Sequence, residues 1–158
     1  MTEFAHAGAA VLLPAVDTFL SESWPLETSR CKAAAASLGW SVAAELEHGI
    51  DFRTPWSGDY PAVATLTDGG STTEILLRVT NGLQPWSEPD LAVAFQSVLR
   101  ELTPSLGQPD LLTVRAACWE VETGGRVWLK SLESAASIIL LILSPDYATI
   151  ERAEESAA

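Results

Sequence analysis

The sequence contains few of the residues on which catalysis at neutral pH and metal binding depend. Among 158 residues there are two cysteines, two histidines and only nine lysines and arginines. The sequence also lacks a G-x-S-x-G motif, a phosphate-binding glycine loop and a His/Cys cluster with metal-ligand spacing. Triad hydrolysis, nucleotide hydrolysis and zinc chemistry therefore have no support in the sequence. We predict a protein that is not an enzyme and that needs no cofactor and no metal.

The polar residues that could still suggest a site have simple structural interpretations. His48 lies in a predicted turn, where an exposed histidine needs no catalytic role. Glu45 with Glu47, and Glu120 with Glu122, fall at strand period two and would share a face. A solvated acidic strand face is the favoured interpretation, and a glycosidase-like or cation site is the alternative.

The cysteine pattern and the hydrophobic runs predict a cytoplasmic protein. Cys31 and Cys118 are far apart in the sequence and match neither a disulfide framework nor a metal site. We expect two buried thiols, with a single disulfide as the alternative. Residues 1–16 contain no Lys or Arg and so lack the basic start of a secretory signal. The most apolar run, 135–143, is shorter than the roughly 20 residues of a transmembrane helix and is predicted to be a buried strand.

Basic residues are outnumbered by acidic ones, and this imbalance restricts the partners. Asp and Glu number 21, and the formal net charge is -12. Such a chain repels phosphate backbones and anionic lipids, so nucleic acid and membranes are poor partners. The acidic excess could complement a basic protein partner, or it could serve solubility alone, and the composition does not distinguish the two.

The hydrophobic pattern predicts one α+β domain with a mainly antiparallel sheet and helices packed on it. Hydrophobic residues make up 47% of the chain, which is enough for a core. Residues 24–155 are predicted to be this domain, after an N-terminal segment 1–23 with a short helix that Pro14 opens, and before a tail 156–158. The expected order is helix, three or four strands, helix, three strands, helix. The predicted elements are a helix at 27–38, strands at 40–46, 50–52, 62–67 and 73–80, a helix at 87–106, strands at 112–121, 126–132 and 138–143, and a helix at 147–155.

Two loops combine aromatic, acidic and proline residues in the way that protein-binding surfaces do. The first is 54–61 and the second is 85–90. Aromatic anchors surrounded by polar groups carry most of the binding energy of protein interfaces. The alternative is that the tryptophans pack against the edge of the core. The candidate partner-binding residues are Trp56, Asp59, Tyr60, Trp86, Glu88 and Asp90.

Several short motifs resemble an uncharacterised family of short, acidic actinobacterial proteins. The similarity runs from about residue 24 to residue 155. Members often have Pro-Asn-Ala where this chain has Pro145-Asp146-Tyr147, which leaves the role of that corner open. The motifs that carry the resemblance are Trp24-Pro25-Leu26, Leu38-Gly39-Trp40, Leu77-Arg78-Val79-Thr80, Leu106-Gly107-Gln108-Pro109, Cys118-Trp119, Gly125-Arg126-Val127-Trp128-Leu129 and Leu143-Ser144-Pro145-Asp146.

The resemblance implies a role beside toxins or secreted effectors, since family members look like immunity or accessory proteins of polymorphic-toxin and type VII secretion loci. We expect a non-enzymatic module that neutralises a cognate toxin, a basic one such as a nuclease, by covering its active surface. The alternative is a secretion chaperone or adaptor that binds a secreted substrate along an open sheet edge or a helix groove. An enzyme with an unrecognised site is the least favoured interpretation.

Overall fold

Nine antiparallel strands form one sheet in the computed structural model, which describes residues 6–57, 60–80 and 86–157. The order across the sheet is β2-β3-β4-β5-β9-β8-β7-β6, and β1 pairs with the first residues of β5. The strands are β1 (Leu26–Glu27), β2 (Ser41–Leu46), β3 (Gly49–Arg53), β4 (Val63–Asp68), β5 (Ser71–Arg78), β6 (Leu111–Leu112), β7 (Ala116–Glu120), β8 (Arg126–Leu132) and β9 (Ser137–Leu143).

Four helices accompany the sheet within the described residues, and the α+β class predicted from the sequence is confirmed. The helices are α1 (Ala9–Leu20), α2 (Thr28–Ser37), α3 (Glu88–Leu106) and α4 (Pro145–Ala157). The predicted strand 112–121 is in fact two strands, β6 and β7, separated by residues 113–115.

Turn residues shape the hairpins, and the pairing of two strands that are far apart in the sequence, β5 and β9, joins the hairpins into one sheet. Gly69 and Gly70 connect β4 to β5 with φ of 59° and 83°, a backbone region that side chains disfavour. The pairing of β5 with β9 places Glu74 opposite Leu143 and Leu76 opposite Leu141. This contact unites the N-terminal and C-terminal halves of the chain in a single sheet.

One face of the sheet and three helices enclose the main core. Apolar residues recur at spacings of three and four along α3, and among them Phe95, Val98 and Leu102 are fully buried. Ser87 caps α3, since its Oγ accepts a hydrogen bond of 3.3 Å from the Asp90 amide. The largest fully buried side chains are Phe19, Phe52, Phe95, Leu12, Leu26, Ile75, Leu77, Leu102, Leu129, Ile138, Leu140 and Ile142.

Helix α1 differs from its prediction in both its start and its role. It begins at Ala9, so Pro14 lies inside the helix and does not open it. A proline there removes one hydrogen bond of the helix. The helix nevertheless persists because Leu12, Val16 and Phe19 are fully buried in the core. The boundary predicted at residue 24 therefore does not separate α1 from the domain, because α1 shares its core.

The opposite face of the sheet is only partly covered, and α4 is the helix that lies on it. The sequence predicts that Tyr147 and Ile150 touch the core, but they are 38% and 52% exposed. Ala148 is the buried residue of α4. Beneath this helix the sheet has an apolar surface that includes Leu141 and Leu143, which are 7% and 3% exposed. We call this side of the sheet the α4 face.

Candidate functional site

The first predicted loop lies after β3 and packs partly against the core. Trp56 is half-buried and contacts the core cluster, and Tyr60 is also half-buried. Ser57 organises the turn, because its Oγ accepts a hydrogen bond from the Thr54 amide at 3.1 Å. Asp59 lies outside the described residues. Trp56 and Tyr60 therefore present part of their rings to solvent.

The second predicted loop does not present an aromatic anchor. Trp86 is 9% exposed and belongs to the hydrophobic core, as the alternative interpretation of core packing predicts. The residue immediately precedes the Ser87 cap of α3, and the apolar stripe of that helix belongs to the same core cluster. Glu88 and Asp90 are exposed. Glu88 is paired with Arg115 at 2.6 Å, and this guanidinium lowers the pKa of the Glu88 carboxyl.

The structure does not bring the two loops together. The Trp56 loop follows the end of β3, whereas Glu88 contacts Arg115 just before β7. Both loops lie at the same end of the strands. Five strand-to-strand steps of about 4.8 Å separate β3 from β7, which amounts to about 24 Å across the sheet. The two loops therefore face the same end of the sheet but lie beside strands that are several positions apart.

A cleft of about 300 Å³ lies at the opposite end of the strands. It opens between the start of α4, the β4–β5 turn and the segment before β1. Its aromatic walls are Trp24 and Tyr147, and its acidic groups are Asp68 and Asp146. None of the described residues that line it is a lysine, arginine or histidine. The hydroxyl side chains that line it are Ser71, Thr72, Thr73 and Ser144. We refer to this feature as the α4 cleft.

Local chemistry fixes both walls of the α4 cleft. The Trp24 indole Nε1 donates a hydrogen bond of 3.2 Å to the Phe19 carbonyl at the end of α1. Ser144 caps α4, because its Oγ accepts a hydrogen bond of 3.2 Å from the Tyr147 amide. Asp146 then stands in the first turn of α4, where a carboxylate interacts favourably with the helix dipole. The cleft is thus a preformed, acidic and partly aromatic depression.

An ion-pair cluster around Arg126 holds α4 on the sheet. The Arg126 side chain is 4% exposed and binds Glu120 on β7 together with Glu151 and Glu155 on α4. The distances to Glu151 and Glu155 are 3.0 Å and 2.7 Å. Hydrogen bonds to Glu155, Glu151 and Glu120 raise the pKa of Arg126, and in turn Arg126 lowers the pKa of Glu155. Glu120, expected to be a solvated acid, is therefore a structural ligand of this cluster.

A second layer of contacts completes the Arg126 cluster. Arg152 donates to Glu120 at 2.8 Å and to the Gly124 carbonyl at 2.8 Å. The Trp128 indole donates to Glu151 at 3.0 Å. Because α4 has few buried apolar side chains, these charged contacts hold its later turns on the sheet. The first turn, which carries Asp146 and Tyr147, is held by Ser144 at the end of β9.

Both cysteines are free and buried, as the sequence predicted. Cys118 pairs with Trp128 across β7 and β8, and its Sγ lies 4.0 Å from Glu120 Oε1. Burial, which disfavours the thiolate, raises the pKa of Cys118 from 9.0 to about 12.

The raised Cys118 pKa predicts a loss of stability in alkali. The folded protein holds the thiol proton more tightly than the unfolded chain, so this contribution is complete below pH 9 and is lost as the pH rises towards 12. At pH 10 the loss is about 1 kcal/mol. We expect urea unfolding at pH 7 and pH 10 to show this difference between the native protein and Cys118→Ala. Equal pH dependence of the two proteins would refute it.

Sequence reasoning missed the α4 cleft, although one signal pointed to it. The sequence assigns no role to the corner 145–147, and this corner proves to form one wall of the cleft. The other wall, Trp24, is expected at the core or its rim and is half-buried. Trp24 and the corner 145–147 are more than a hundred positions apart in the sequence, and the pairing of β5 with β9 brings these two segments close in space.

Comparison with known proteins identifies a family but no activity. A family of unknown function (DUF6301) matches residues 12–141. No curated protein and no solved structure matches the chain significantly. Within the described ranges, no helix is long and apolar enough to cross a membrane. Because the match covers well over half of its length, the chain belongs to the DUF6301 family of proteins of unknown function.

Proposed function

We propose that this protein is a non-enzymatic binding module that recognises a basic protein partner through the α4 cleft. The observation that carries the proposal is the composition of the cleft, which combines Trp24 and Tyr147 with Asp68 and Asp146 and has no basic side chain among its described lining residues. A lysine or arginine of a partner would find carboxylates for its charge and aromatic faces for its stem. Such a pocket suits one protruding cationic side chain.

The surroundings of the cleft have the further features of an interface. Tyr147 and Ile150 are exposed at its rim, and Leu46 and Leu66 are 62% and 48% exposed at the same end of the strands. Exposed apolar side chains beside acidic groups favour burial against a protein surface. The net charge of -12 would accelerate encounter with a basic partner.

The specific form of the proposal is an immunity protein that acts in the cytoplasm. It would occlude the active surface of a basic toxin, such as a nuclease, and would need no catalytic residue for this. Support comes from the acidic cleft and from the resemblance to actinobacterial proteins of toxin and secretion loci. The partner should be captured from native lysate, or supplied as the product of the neighbouring gene, and its activity measured with and without this protein.

Variants at the cleft test where the partner binds. Tyr147→Ala should weaken binding by about 2 kcal/mol, which is about 30-fold, if Tyr147 is an anchor. Asp146→Lys should weaken it similarly by repelling the basic partner. Calorimetric titration with the purified partner measures the affinity of both variants.

The chain provides a matched control for Asp146. Asp90 is also an exposed acid in the first turn of a helix, but α3 begins at the far end of the strands. Asp90→Lys should therefore leave the affinity unchanged. If Asp90→Lys weakens binding and Asp146→Lys does not, the partner binds near the second predicted loop and the cleft proposal fails.

A secretion chaperone remains the second candidate, and one observation favours it. Strand β2 lies at one edge of the sheet, and no described strand pairs with its free edge. An extended substrate could add to this edge by backbone hydrogen bonds. The register of β2 with β3 shifts between Val42 and Ala44, which marks a β-bulge. A substrate strand could therefore pair regularly with β2 only on either side of this bulge. The chaperone would be favoured if the captured partner stays soluble and keeps its activity in the complex. In that case Val42→Pro should also abolish its binding.

A further inference from the structure

One row of strand partners shows where helix α4 stops covering the α4 face. Side chains of cross-strand partners lie on the same face of an antiparallel sheet, so the row can be followed from strand to strand. The row consists of Glu120, Arg126, Leu143, Glu74, Leu66, Gly49 and Leu46. Arg126 and Leu143 lie beneath α4 and are each 3% exposed, whereas Leu66 is 48% and Leu46 is 62% exposed. The cover therefore ends between β9 and β4.

The uncovered half of the α4 face lies over β2, β3 and β4. Leu46 and Leu66 are two strands apart, which is about 10 Å, and Gly49 between them has no side chain to fill the gap. The next row of partners on this face is Ala44, Asp51 and Ala64, and all three are half-buried. This half of the face therefore has two exposed leucines above a low floor. We refer to these strand residues, namely Ala44, Leu46, Gly49, Asp51, Ala64 and Leu66, as the open floor.

The carboxylates at the open floor have no cation of the protein as a partner. Asp51 lies within the floor and Asp68 lies two residues beyond Leu66, and neither has a basic nitrogen of a described residue within 4.0 Å. Arg53 lies on the same face, two residues further along β3, but its guanidinium is also beyond this distance from Asp51. A half-buried carboxylate is stabilised by an opposite charge that a ligand brings. The open floor is therefore complementary to a cationic group next to apolar ones.

The space over the open floor has the dimensions of one helix packed beside α4. Helix α4 covers Leu143 of β9, and β4 is two strand steps from β9, which is about 10 Å. Packed helices are about 8–10 Å apart. Ile150 of α4 lines the α4 cleft together with Asp68 at the end of β4, so this side chain lies on the β4 side of the helix, and it is 52% exposed. The vacant position thus has an apolar side chain of α4 as its wall and the leucines of the open floor beneath it.

We propose that the open floor binds a basic amphipathic helix of the protein partner, which packs beside α4. The apolar side of this helix would rest on Leu46, Leu66 and Ile150, and a lysine or arginine next to it would pair with Asp51. The net charge of -12 favours a basic partner over a second copy of the chain, because two copies repel each other. The inference rests on the proposed function, since the open floor adjoins the α4 cleft, and it names the structural element by which the partner is recognised.

A displayed library of random helical peptides of about 20 residues provides the test. Peptides selected on the full-length protein should carry Lys or Arg next to apolar positions at spacings of three and four. Any basic peptide is attracted to a chain of this charge, so the variant L46A/L66A, which keeps the charge, distinguishes docking from attraction alone. Affinity for the selected peptides should fall about 30-fold in L46A/L66A and about fivefold in D51N. Raising the salt concentration should weaken binding to the native protein more than to D51N.

Helix α3 supplies matched controls for both kinds of substitution. Val93 is an apolar residue that is 71% exposed, and Asp90 is an exposed acid, and neither belongs to the α4 face. Val93→Ala and Asp90→Asn should leave peptide affinity unchanged. Both leucines are exposed, so L46A/L66A should stay folded, and circular dichroism checks this. Should the double variant be unstable, Leu46→Ala alone should still lower the affinity about fivefold.

The captured partner separates failure of this inference from failure of the proposed function. If L46A/L66A binds the partner as tightly as the native protein does, and Tyr147→Ala does not, the cleft is the binding site and the inference fails alone. If L46A/L66A weakens binding and Tyr147→Ala does not, the open floor is supported and the cleft proposal fails. If neither weakens it, both fail. Selection of acidic peptides, no enrichment, equal peptide binding to L46A/L66A, or a native dimer that L46A/L66A dissociates would each overturn the inference.

Discussion

Replacing Arg126 with methionine is expected to lower the free energy of unfolding by about 3 kcal/mol. The substitution leaves Glu120, Glu151 and Glu155 close together without their shared cation. Removing one partner of a buried ionic cluster costs more than the cluster contributes, because the remaining charges are desolvated and repel each other. The carboxylates keep part of their surface, so the expected value is at the low end of the usual range. Chemical denaturation measures the change.

Two further variants show whether repulsion causes the loss. Arg100→Met on α3 removes an exposed cation that has no described carboxylate close by, and it should change stability by less than about 0.5 kcal/mol. Adding Glu151→Gln and Glu155→Gln to Arg126→Met should restore part of the lost stability. A loss below about 1 kcal/mol for Arg126→Met would mean that α4 is held mainly by packing. The same variant should also weaken partner binding at the α4 cleft, because Arg126 holds α4, the helix that carries Tyr147, on the sheet.

Replacing Trp86 with alanine is expected to destabilise the protein by about 3–4 kcal/mol. Trp86 is 9% exposed within the core cluster, so truncation removes a large buried surface and leaves a cavity. Trp56→Ala should cost less, about 1–2 kcal/mol, because that ring is half-buried. Thermal and urea unfolding measure both variants.

Val93→Ala is the control for these truncations, since Val93 lies on α3 and is 71% exposed. It should leave stability within about 0.5 kcal/mol of the native protein. If Trp86→Ala were stable and lost partner binding, the indole would be an interface anchor after all. That result would contradict the packing of the core described above.

Local features of the sequence determined most of the secondary structure. The Gly69-Gly70 turn, the cap at Ser87 and the spacing of the apolar residues in α3 each act over a few residues, so they can be recognised without a fold. The alternation along β5 puts Ile75 and Leu77 on one face of the strand, and the structure buries that face in the core. Helix α1 was harder, since Pro14 is a local signal that burial of the helix overrides.

Only the tertiary structure decided which residues meet at a surface. The sequence suggested two similar loops, but the order of the sheet places them about 24 Å apart. The cluster around Arg126 and the α4 cleft both depend on the β5–β9 pairing or on the strands that follow from it. Such contacts join residues that are distant in the chain, and no local pattern encodes them.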